Sequence, residues 1–186
     1  RVKDRVSLKR KIDSKGHKYD IIEDITDIVA FRIITFFEDE VDIAAEIIES
    51  EFEIDKENSE DKRRKNTDTF GYQSLHRVFT HKKERTDLTD FSHLKDLKCE
   101  IQIRSILQHA WAEIEHDIGY KSESGIPAHT KRNFLRTAAL LETADLEFIR
   151  LRDTLDTYEE NLPRQIKRSP GSVLIDKASL QSFFSQ

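Results

Sequence analysis

Three short segments of the chain are rich in β-branched and aromatic residues, and each predicts a strand. They are residues 28–36, 75–80 and 97–103. The first, IVAFRIITF, is apolar almost throughout, which is typical of a buried strand. The third alternates apolar and polar positions, as a strand does when its two faces meet different surroundings. We therefore predict a β-sheet built from these strands.

Apolar residues spaced three and four apart predict helices in two other parts of the chain. Residues 41–52 carry them at positions 41, 44, 47 and 48, and a much longer run extends over residues 134–162. We expect the long helix to end before Pro163, because a proline disfavours helix at the residue that precedes it.

The remaining segments complete a mixed pattern of helices and strands. The short basic segment 6–12 predicts the start of a helix. Ser105 is placed to cap another helix, which runs to about Tyr120. Residues 56–68 are highly charged without periodicity and predict an exposed loop. The predicted fold class is α/β (α+β), with a mixed β-sheet flanked by helices and a long C-terminal helix.

Composition narrows the possible partners and compartment. The 186 residues are 37% hydrophobic and 36% charged, and the net charge of −5 gives no general attraction to nucleic acid or anionic membrane. A polyanion would have to be held by local basic clusters. Cys99 is the single cysteine, so a disulfide framework is excluded and a reducing cytoplasm fits best. No apolar run approaches a membrane span. Because the chain begins at Arg1 and lacks methionine, we expect a segment upstream.

The segment CEIQIR places unlike polar groups on one face of a predicted strand. Successive side chains of a strand point to opposite faces, so Glu100, Gln102 and Arg104 share one face and Cys99 lies on the other. A half-buried strand rarely carries an acid, an amide and a base in a row on its polar face. We interpret this face as a candidate site.

Two acidic residues lie in or beside otherwise apolar strands. Asp27 precedes IVAFRIITF, and Glu100 lies within CEIQIR. A buried carboxylate is costly unless it is paired or binds a cation. Either each acid pairs with a nearby arginine, or the two together hold one Mg²⁺ whose remaining ligands are phosphate oxygens.

The first eleven residues supply the opposite charge. Their side chains include six cations and a hydroxyl: Arg1, Lys3, Arg5, Lys9, Arg10, Lys11 and Ser7. Cations and a hydroxyl at this spacing are suited to holding a triphosphate. The alternative is a solvated basic segment, which is what most charge runs are.

The segment FGYQSLH offers a place for a flat ring to stack. Gly71 permits close approach of the backbone, Tyr72 could stack on a base, and His76 begins a predicted strand. A turn with a packed tyrosine would have the same sequence. On the later helix, His109, Glu113 and His116 share a face that could ligate zinc, but packing or contact with an acceptor accounts for them better.

In this order, the motifs resemble those of the RelA/SpoT-type alarmone synthetases, and the small stand-alone members most of all. The motifs are R-x-K-x-x-x-S-x-x-x-K, D-x-x-x-x-R, GYQSLH, EIQIR and W-A-x-x-E-H-x-x-x-Y-K. The resemblance implies a nucleotidyltransferase-like fold. It also implies transfer of the β,γ-pyrophosphate of ATP to the 3′-hydroxyl of GDP or GTP, giving the (p)ppGpp of the stringent response.

The resemblance also implies a role for each matching residue. Glu100 and Asp27 would bind Mg²⁺, and Glu100 would help to deprotonate the attacking hydroxyl. Arg1 and Arg32 would flank the adenine of ATP, while Lys3, Ser7 and Lys11 would contact its phosphates. Tyr72 would stack on the acceptor guanine, with His76 and Gln102 nearby. The supporting residues would be Arg104, His116 and Lys121.

The sequence departs from the family pattern at the acceptor side. Small synthetases commonly have asparagine nine residues after the metal-binding glutamate, where this chain has His109. The basic residues of the preceding loop lie further back, at 62–65. A relative that modifies tRNA 3′ ends or makes (p)ppApp therefore remains an alternative, and so does a degenerate module that only senses nucleotides.

The predicted elements divide the chain into three parts. We expect a synthetase domain over residues 1–130, a helical extension over 131–162 that could mediate homo-oligomers, and a tail over 163–186.

Asp27 and Arg32 are five positions apart, so a regular strand would put them on opposite faces. Either Asp27 precedes the strand or a bulge intervenes.

Overall fold

A four-stranded mixed sheet organises the first part of the protein. The computed structural model describes residues 1–15, 19–63, 70–71, 73–121 and 127–185, with only the backbone of 15, 23 and 119–121. The strands are β1 (Ala30–Thr35), β2 (Phe52–Asp61), β3 (Leu75–His81) and β4 (Cys99–Ser105). Their order is β1-β4-β3-β2, with β1 parallel to β4 and the other pairs antiparallel.

Helices lie before, between and after these strands along the chain. They are α1 (Arg5–Lys15), α2 (Glu40–Glu51), α3 (Lys83–Thr86), α4 (Ile106–Lys121), α5 (Ala128–Arg168) and α6 (Lys177–Phe184). This confirms the predicted fold class of a mixed sheet flanked by helices with a long C-terminal helix. No helix among the described residues is long and apolar enough to cross a membrane.

The strand register separates an apolar face of the sheet from a polar one. On β4, Ile101 and Ile103 belong to a buried cluster, which Val41 and Ala45 of α2 complete from one side. Cys99 packs against the same cluster, as predicted for its face of the strand. Each such buried aliphatic side chain contributes about 1.5–3 kcal/mol to folding. The core therefore lies between α2 and one face of the sheet, which leaves the other face for polar side chains.

The polar face gathers residues from three strands. Arg32 of β1 pairs in register with Gln102 of β4, and Gln102 pairs with His76 of β3. Residues directly opposite each other in a sheet point to the same side. Glu100 and Arg104 share that side with Gln102, because they stand two positions away from it on β4.

A capping pair fixes the start of α4 directly after β4. The backbone N–H of Gln108 donates to Ser105 Oγ at 3.2 Å, and the backbone N–H of Ser105 donates to Gln108 Oε1 at 3.0 Å. This reciprocal arrangement satisfies donors that the first helical turn leaves unpaired. The predicted cap at Ser105 is confirmed, and the chain turns from strand to helix without a loop.

The predicted loop over residues 56–68 is wrong in its first part. Residues up to Asp61 belong to β2, whose pairing with β3 shifts between Asp55 and Glu60. A bulge of this kind interrupts the two-residue alternation, and an edge strand tolerates charged side chains. Both effects removed the periodicity that the sequence would need to show a strand.

The predicted end of the long helix before Pro163 is also wrong, because α5 continues to Arg168 with Pro163 inside it. Proline removes one helical hydrogen bond. Pro163 is exposed, so water can satisfy the carbonyl that loses its partner. The neighbouring Leu162 is only 1% exposed, and its burial stabilises the turn that contains the proline.

Contacts within the chain define two compact units, residues 1–143 and 144–186. The second unit contains the end of α5 and a short helix that was predicted to be part of a tail. Asp176 caps α6 by accepting a hydrogen bond from the Ser179 backbone at 2.8 Å. The Tyr158 hydroxyl donates to Asp176 Oδ2 at 2.6 Å, which ties α6 to α5 within this unit.

Candidate active site

The first three residues run beside the segment that leads into β1. The Lys3 N–H donates to the Ile28 carbonyl, and the Ala30 N–H donates to the Arg1 carbonyl, both at 2.9 Å. Val2 and Val29 form the antiparallel bridge between these contacts. The pairing brings the side chains of Arg1 and Lys3 to the polar residues of β1 and β4.

A cleft of about 260 Å³ opens at this place. Six residues that the sequence singled out line it: Arg1, Lys3, Asp27, Arg32, Glu100 and Gln102. Phe31 also lines the cleft and is 52% exposed. Residue type alone does not distinguish this ring from the other apolar residues of a strand that was predicted to be buried.

Asp27 is held between two lysines at one end of the cleft. Lys3 Nζ donates to Asp27 Oδ2 and Lys11 Nζ donates to Asp27 Oδ1, both at 2.6 Å. Asp27 lies in a turn that precedes β1, and this answers the question of how it can share the cleft with Arg32. Among the described residues, the ion-pair partners of this carboxylate are these lysines and not the arginine that we considered.

The lysines keep Asp27 ionised. Burial by itself would raise the pKa of Asp27, but the hydrogen bonds and charges of Lys11 and Lys3 outweigh it and hold the pKa below its usual value. In the same way, burial would lower the pKa of Lys11, and its bond to Asp27 raises it instead. The pair therefore remains charged at neutral pH.

Glu100 is the second carboxylate of the cleft and has different partners. Gln102 Nε2 donates to Glu100 Oε1 at 2.7 Å, and His76 Nδ1 lies 3.6 Å from the same oxygen. Burial acts to raise the pKa of Glu100, but its interactions with His76 and Gln102 prevail and lower it. Asp27 is close enough to act in the raising direction. Glu100 is thus an ionised carboxylate with an amide and an imidazole beside it.

A third acid, Glu113 of α4, binds the arginines of the polar face. Its Oε1 accepts a hydrogen bond from Arg32 Nη1 at 2.8 Å and another from Arg104 Nη2 at 3.3 Å. His109, one turn earlier on α4, has Nδ1 at 3.7 Å from the same oxygen. Arg104 is fully buried, whereas Arg32 and Glu113 are partly exposed. From the sequence, Glu113 was only a possible zinc ligand. Its contact with Arg32 could not be predicted from local pattern, because the two residues lie 81 positions apart.

The cleft offers donors that suit a hard divalent cation. Asp27 and Glu100 are ionised carboxylates on one cleft, and Mg²⁺ is commonly held by one or two carboxylates with phosphate and water completing its shell. The residues present therefore fit Mg²⁺. Among the residues that the structure describes, no group of three or more His, Cys, Asp or Glu side chains is arranged to hold a metal ion.

Several predicted site residues are not joined to the cleft by the described contacts. Ser7 donates through Oγ to Asp4 Oδ2 at 2.7 Å, where Asp4 caps the start of α1. His116 lies exposed on α4 and does not line the cleft. Lys121 ends α4, but its side chain is outside the described residues, and so is Tyr72 as a whole.

Comparison with known proteins identifies the family of this chain. A family model described as a region found in RelA/SpoT proteins matches residues 1–125. The chain belongs to the RelA/SpoT family. Within that family it matches the small alarmone synthetases.

Three matches document this relationship. GTP pyrophosphokinase YjbM of Bacillus subtilis is 28% identical over 169 residues, which is 91% of this chain and 77% of the relative. The structure of small alarmone synthetase 1 from Bacillus subtilis bound to its product pppGpp matches with TM-score 0.69 and 29% identity, over 83% of this chain and 76% of that one. The same synthetase bound to AMPCPP matches with TM-score 0.64 and 26% identity, over 84% and 76%.

Proposed function

We propose that this protein is an alarmone synthetase, an enzyme that transfers the β,γ-pyrophosphate of ATP to the 3′-hydroxyl of GDP or GTP and so makes (p)ppGpp. The observation that carries the proposal is the cleft, where two ionised carboxylates meet the cations Arg1, Lys3 and Arg32 in a chain of the RelA/SpoT family. Phosphoryl-type transfer depends chiefly on positioning and on neutralising charge. These side chains are suited both to positioning the phosphates and to neutralising their charge.

On the donor side, we propose that Arg1 and Arg32 flank the adenine of ATP and that Lys3 and Lys11 contact its phosphates. The two lysines are already close together, because both bind Asp27. Ser7 is proposed to join them, although in this structure its hydroxyl donates to Asp4, so phosphate contact would require it to rotate. The AMPCPP-bound relative supports a nucleotide donor of this kind.

Mg²⁺ is proposed to be held by Asp27 and Glu100, where it would neutralise charge on the phosphates. Glu100 is proposed to accept the proton of the attacking hydroxyl at a carboxylate oxygen, and Gln102 orients that carboxylate through its 2.7 Å hydrogen bond. Because Lys3 and Lys11 already bind Asp27, the phosphates of ATP would have to draw them away before Asp27 could take a cation.

On the acceptor side, Tyr72 is proposed to stack on guanine, with His76, Gln102 and His109 near it. His76 and Gln102 are adjacent partners across β3 and β4. Arg104, His116 and Lys121 are proposed as supporting residues, and the buried Arg104 has the contacts that such a role needs. The pppGpp-bound relative supports a guanosine acceptor.

The experiment is transfer of label from γ-labelled ATP with Mg²⁺ to GDP, GTP, ADP, ATP or bulk tRNA, each offered alone. We expect label on GDP or GTP, and we expect Glu100→Gln to lose it. Label on tRNA or on an adenosine nucleotide alone would replace the proposed acceptor with one of the alternatives. Binding of nucleotide without transfer to any acceptor would favour the sensing module instead.

The tRNA alternative depended partly on the basic loop at residues 62–65. Arg63 does not serve such a surface, because its side chain is only 7% exposed and binds three carboxylates, those of Glu38, Asp42 and Asp61. Arg64 and Lys65 lie outside the described residues. The acceptor assay with bulk tRNA therefore tests whether this protein modifies tRNA.

We further propose that the protein forms homo-oligomers through α5. Along this helix Leu151 and Leu155 are 58% and 61% exposed, and Phe148 is 48% exposed. Apolar side chains exposed side by side on a helix are typical of an interface.

The domain limits at 130 and 162 remain predictions, and so does the cytoplasmic location inferred from Cys99.

A further inference from the structure

Glu113 connects two arginines of very different exposure. Arg104 is only 2% exposed, so its guanidinium is fixed by the packing around it, while Arg32 is 38% exposed at the cleft. Both donate to the same oxygen of Glu113, at 3.3 Å and 2.8 Å. The buried arginine therefore holds the carboxylate, and the carboxylate holds the arginine of the cleft.

The strand register explains why such a link is needed. Ile34 pairs with Arg104 and Arg32 pairs with Gln102, so the two arginines are diagonal neighbours on the polar face. Diagonal neighbours across a sheet lie within reach of long side chains, and like charges at such a distance repel. Without Glu113, Arg32 would be pushed away from Arg104 and would keep the rotamer freedom of a free arginine.

Among the described residues, His109 also lies close to this carboxylate. Its Nδ1 is 3.7 Å from Glu113 Oε1 and is buried, with no hydrogen-bond partner in the part of the chain that the structure describes. Burial and the positive charges of Arg104 and Arg32 lower the pKa of His109, although Glu113 acts in the opposite direction. A neutral imidazole does not compete for the carboxylate, which stays with the arginines.

From these contacts we propose that Glu113 is a positioning residue of the donor-nucleotide site: it holds the guanidinium of Arg32 at the cleft so that ATP meets it already in place. The proposal rests on the proposed function only in taking ATP as the ligand of this cleft. Glu113 itself is not among the residues that line the cleft. It acts through Arg32, and its loss therefore weakens the donor site and not the chemical step.

The test measures AMPCPP binding by calorimetry for the wild type and Glu113→Ala. We expect binding to weaken by about 2- to 5-fold, which lies within the range for loss of a partly exposed ion pair. With ATP and GTP, KM for ATP should rise by a similar factor while kcat and KM for GTP change less than about 2-fold. Glu46→Ala, an exposed acid on α2, is the matched control and should leave AMPCPP binding unchanged.

A second comparison separates positioning from general damage. In an Arg32→Ala background, Glu113→Ala should cause no further loss of AMPCPP binding, because there is no guanidinium left to hold. Equal losses in both backgrounds, unchanged or tighter binding in the single variant, or an equal rise in KM for GTP would each overturn the proposal. If Glu113→Ala unfolds, Glu113→Gln is used, and the same comparison decides.

These outcomes are distinct from failure of the proposed function. A wild type that binds AMPCPP but transfers no pyrophosphate would overturn the synthetase proposal, and the role of Glu113 would still be decided by binding. A wild type that does not bind AMPCPP would overturn the role of Glu113.

Discussion

At the scale of single residues, the cleft is arranged so that its charges satisfy one another before a ligand arrives. Asp27 pairs with both Lys3 and Lys11, and Glu113 pairs with both Arg32 and Arg104, so each carboxylate offsets part of the positive charge beside it. Cations held in this way are not solvated as free side chains are. An arriving triphosphate would therefore exchange one set of charge pairs for another.

The Asp27 cluster should make stability depend on pH. Because the folded pKa of Asp27 is lowered, its contribution is complete above the unfolded carboxyl pKa of about 4 and is lost as pH falls through the folded pKa. We expect Asp27→Asn to be less stable than the wild type by about 1 kcal/mol at pH 7, allowing for solvent screening of partly exposed partners. The difference should shrink towards pH 3, as measured by urea unfolding at both pH values. A difference that is the same at both would contradict this assignment.

Glu100 should set the acid side of the activity profile. Its pKa lies below the ordinary value of 4.5, because the interactions with His76 and Gln102 outweigh burial. We expect kcat/KM to stay level from neutral pH down to that range. Gln102→Leu removes a hydrogen bond to the carboxylate, so the acid limb should move to higher pH. Glu46→Gln is the control, and an unmoved limb in Gln102→Leu would show that another group titrates.

At the scale of elements, strands with a regular pattern were predictable and contacts between distant positions were not. β1, β3 and β4 were recognised from residue type, and the alternation in CEIQIR correctly identified the polar face. β2 was missed because its bulge removes the alternation. The resemblance supplied the proposed donor residues, but nothing local in the sequence joins Arg32 to Glu113, which lie 81 positions apart.

Arg63 should be the main electrostatic link between α2 and β2. It binds Glu38 just before α2, Asp42 in the first turn of α2 and Asp61 at the end of β2. The paired carboxylates raise its pKa against the effect of burial. Arg63→Ala leaves these acids facing each other, and we expect a loss of about 2–3 kcal/mol in the free energy of unfolding. The measurement is urea denaturation.

Lys62→Ala is the matched control for this substitution. Lys62 lies 3.7 Å from Glu60 with both side chains about one-third exposed, so we expect a change below about 0.5 kcal/mol. Similar losses for the two variants would show that the cluster around Arg63 has no special part in stability.

At the scale of the whole molecule, a net charge of −5 surrounds a cleft whose exposed cations are few and local. Specific binding of a polyphosphate must then come from the side chains of the cleft and not from the general field of the protein. The second unit adds an exposed apolar stripe on α5, and this stripe carries the proposal of self-association.

The stripe gives a direct test of oligomeric state. We expect the wild type to sediment as an oligomer and the double variant Leu151→Glu, Leu155→Glu to sediment as a monomer, because charged side chains would have to be buried in the interface. Glu160→Lys, an exposed change on a different face of the same helix, should leave the wild-type state intact. A monomeric wild type would contradict the proposal.

The parallel pairing of β1 with β4 has a consequence for folding. Ala30 pairs with Glu100, so the two acids of the cleft, Asp27 and Glu100, come together only after a long stretch of chain has closed into the sheet. Closing such a loop costs entropy before its contacts are formed, and pairings of this kind are slow. No short fragment or early intermediate can hold both carboxylates. During refolding, nucleotide binding should consequently return late, together with the last step of tertiary assembly.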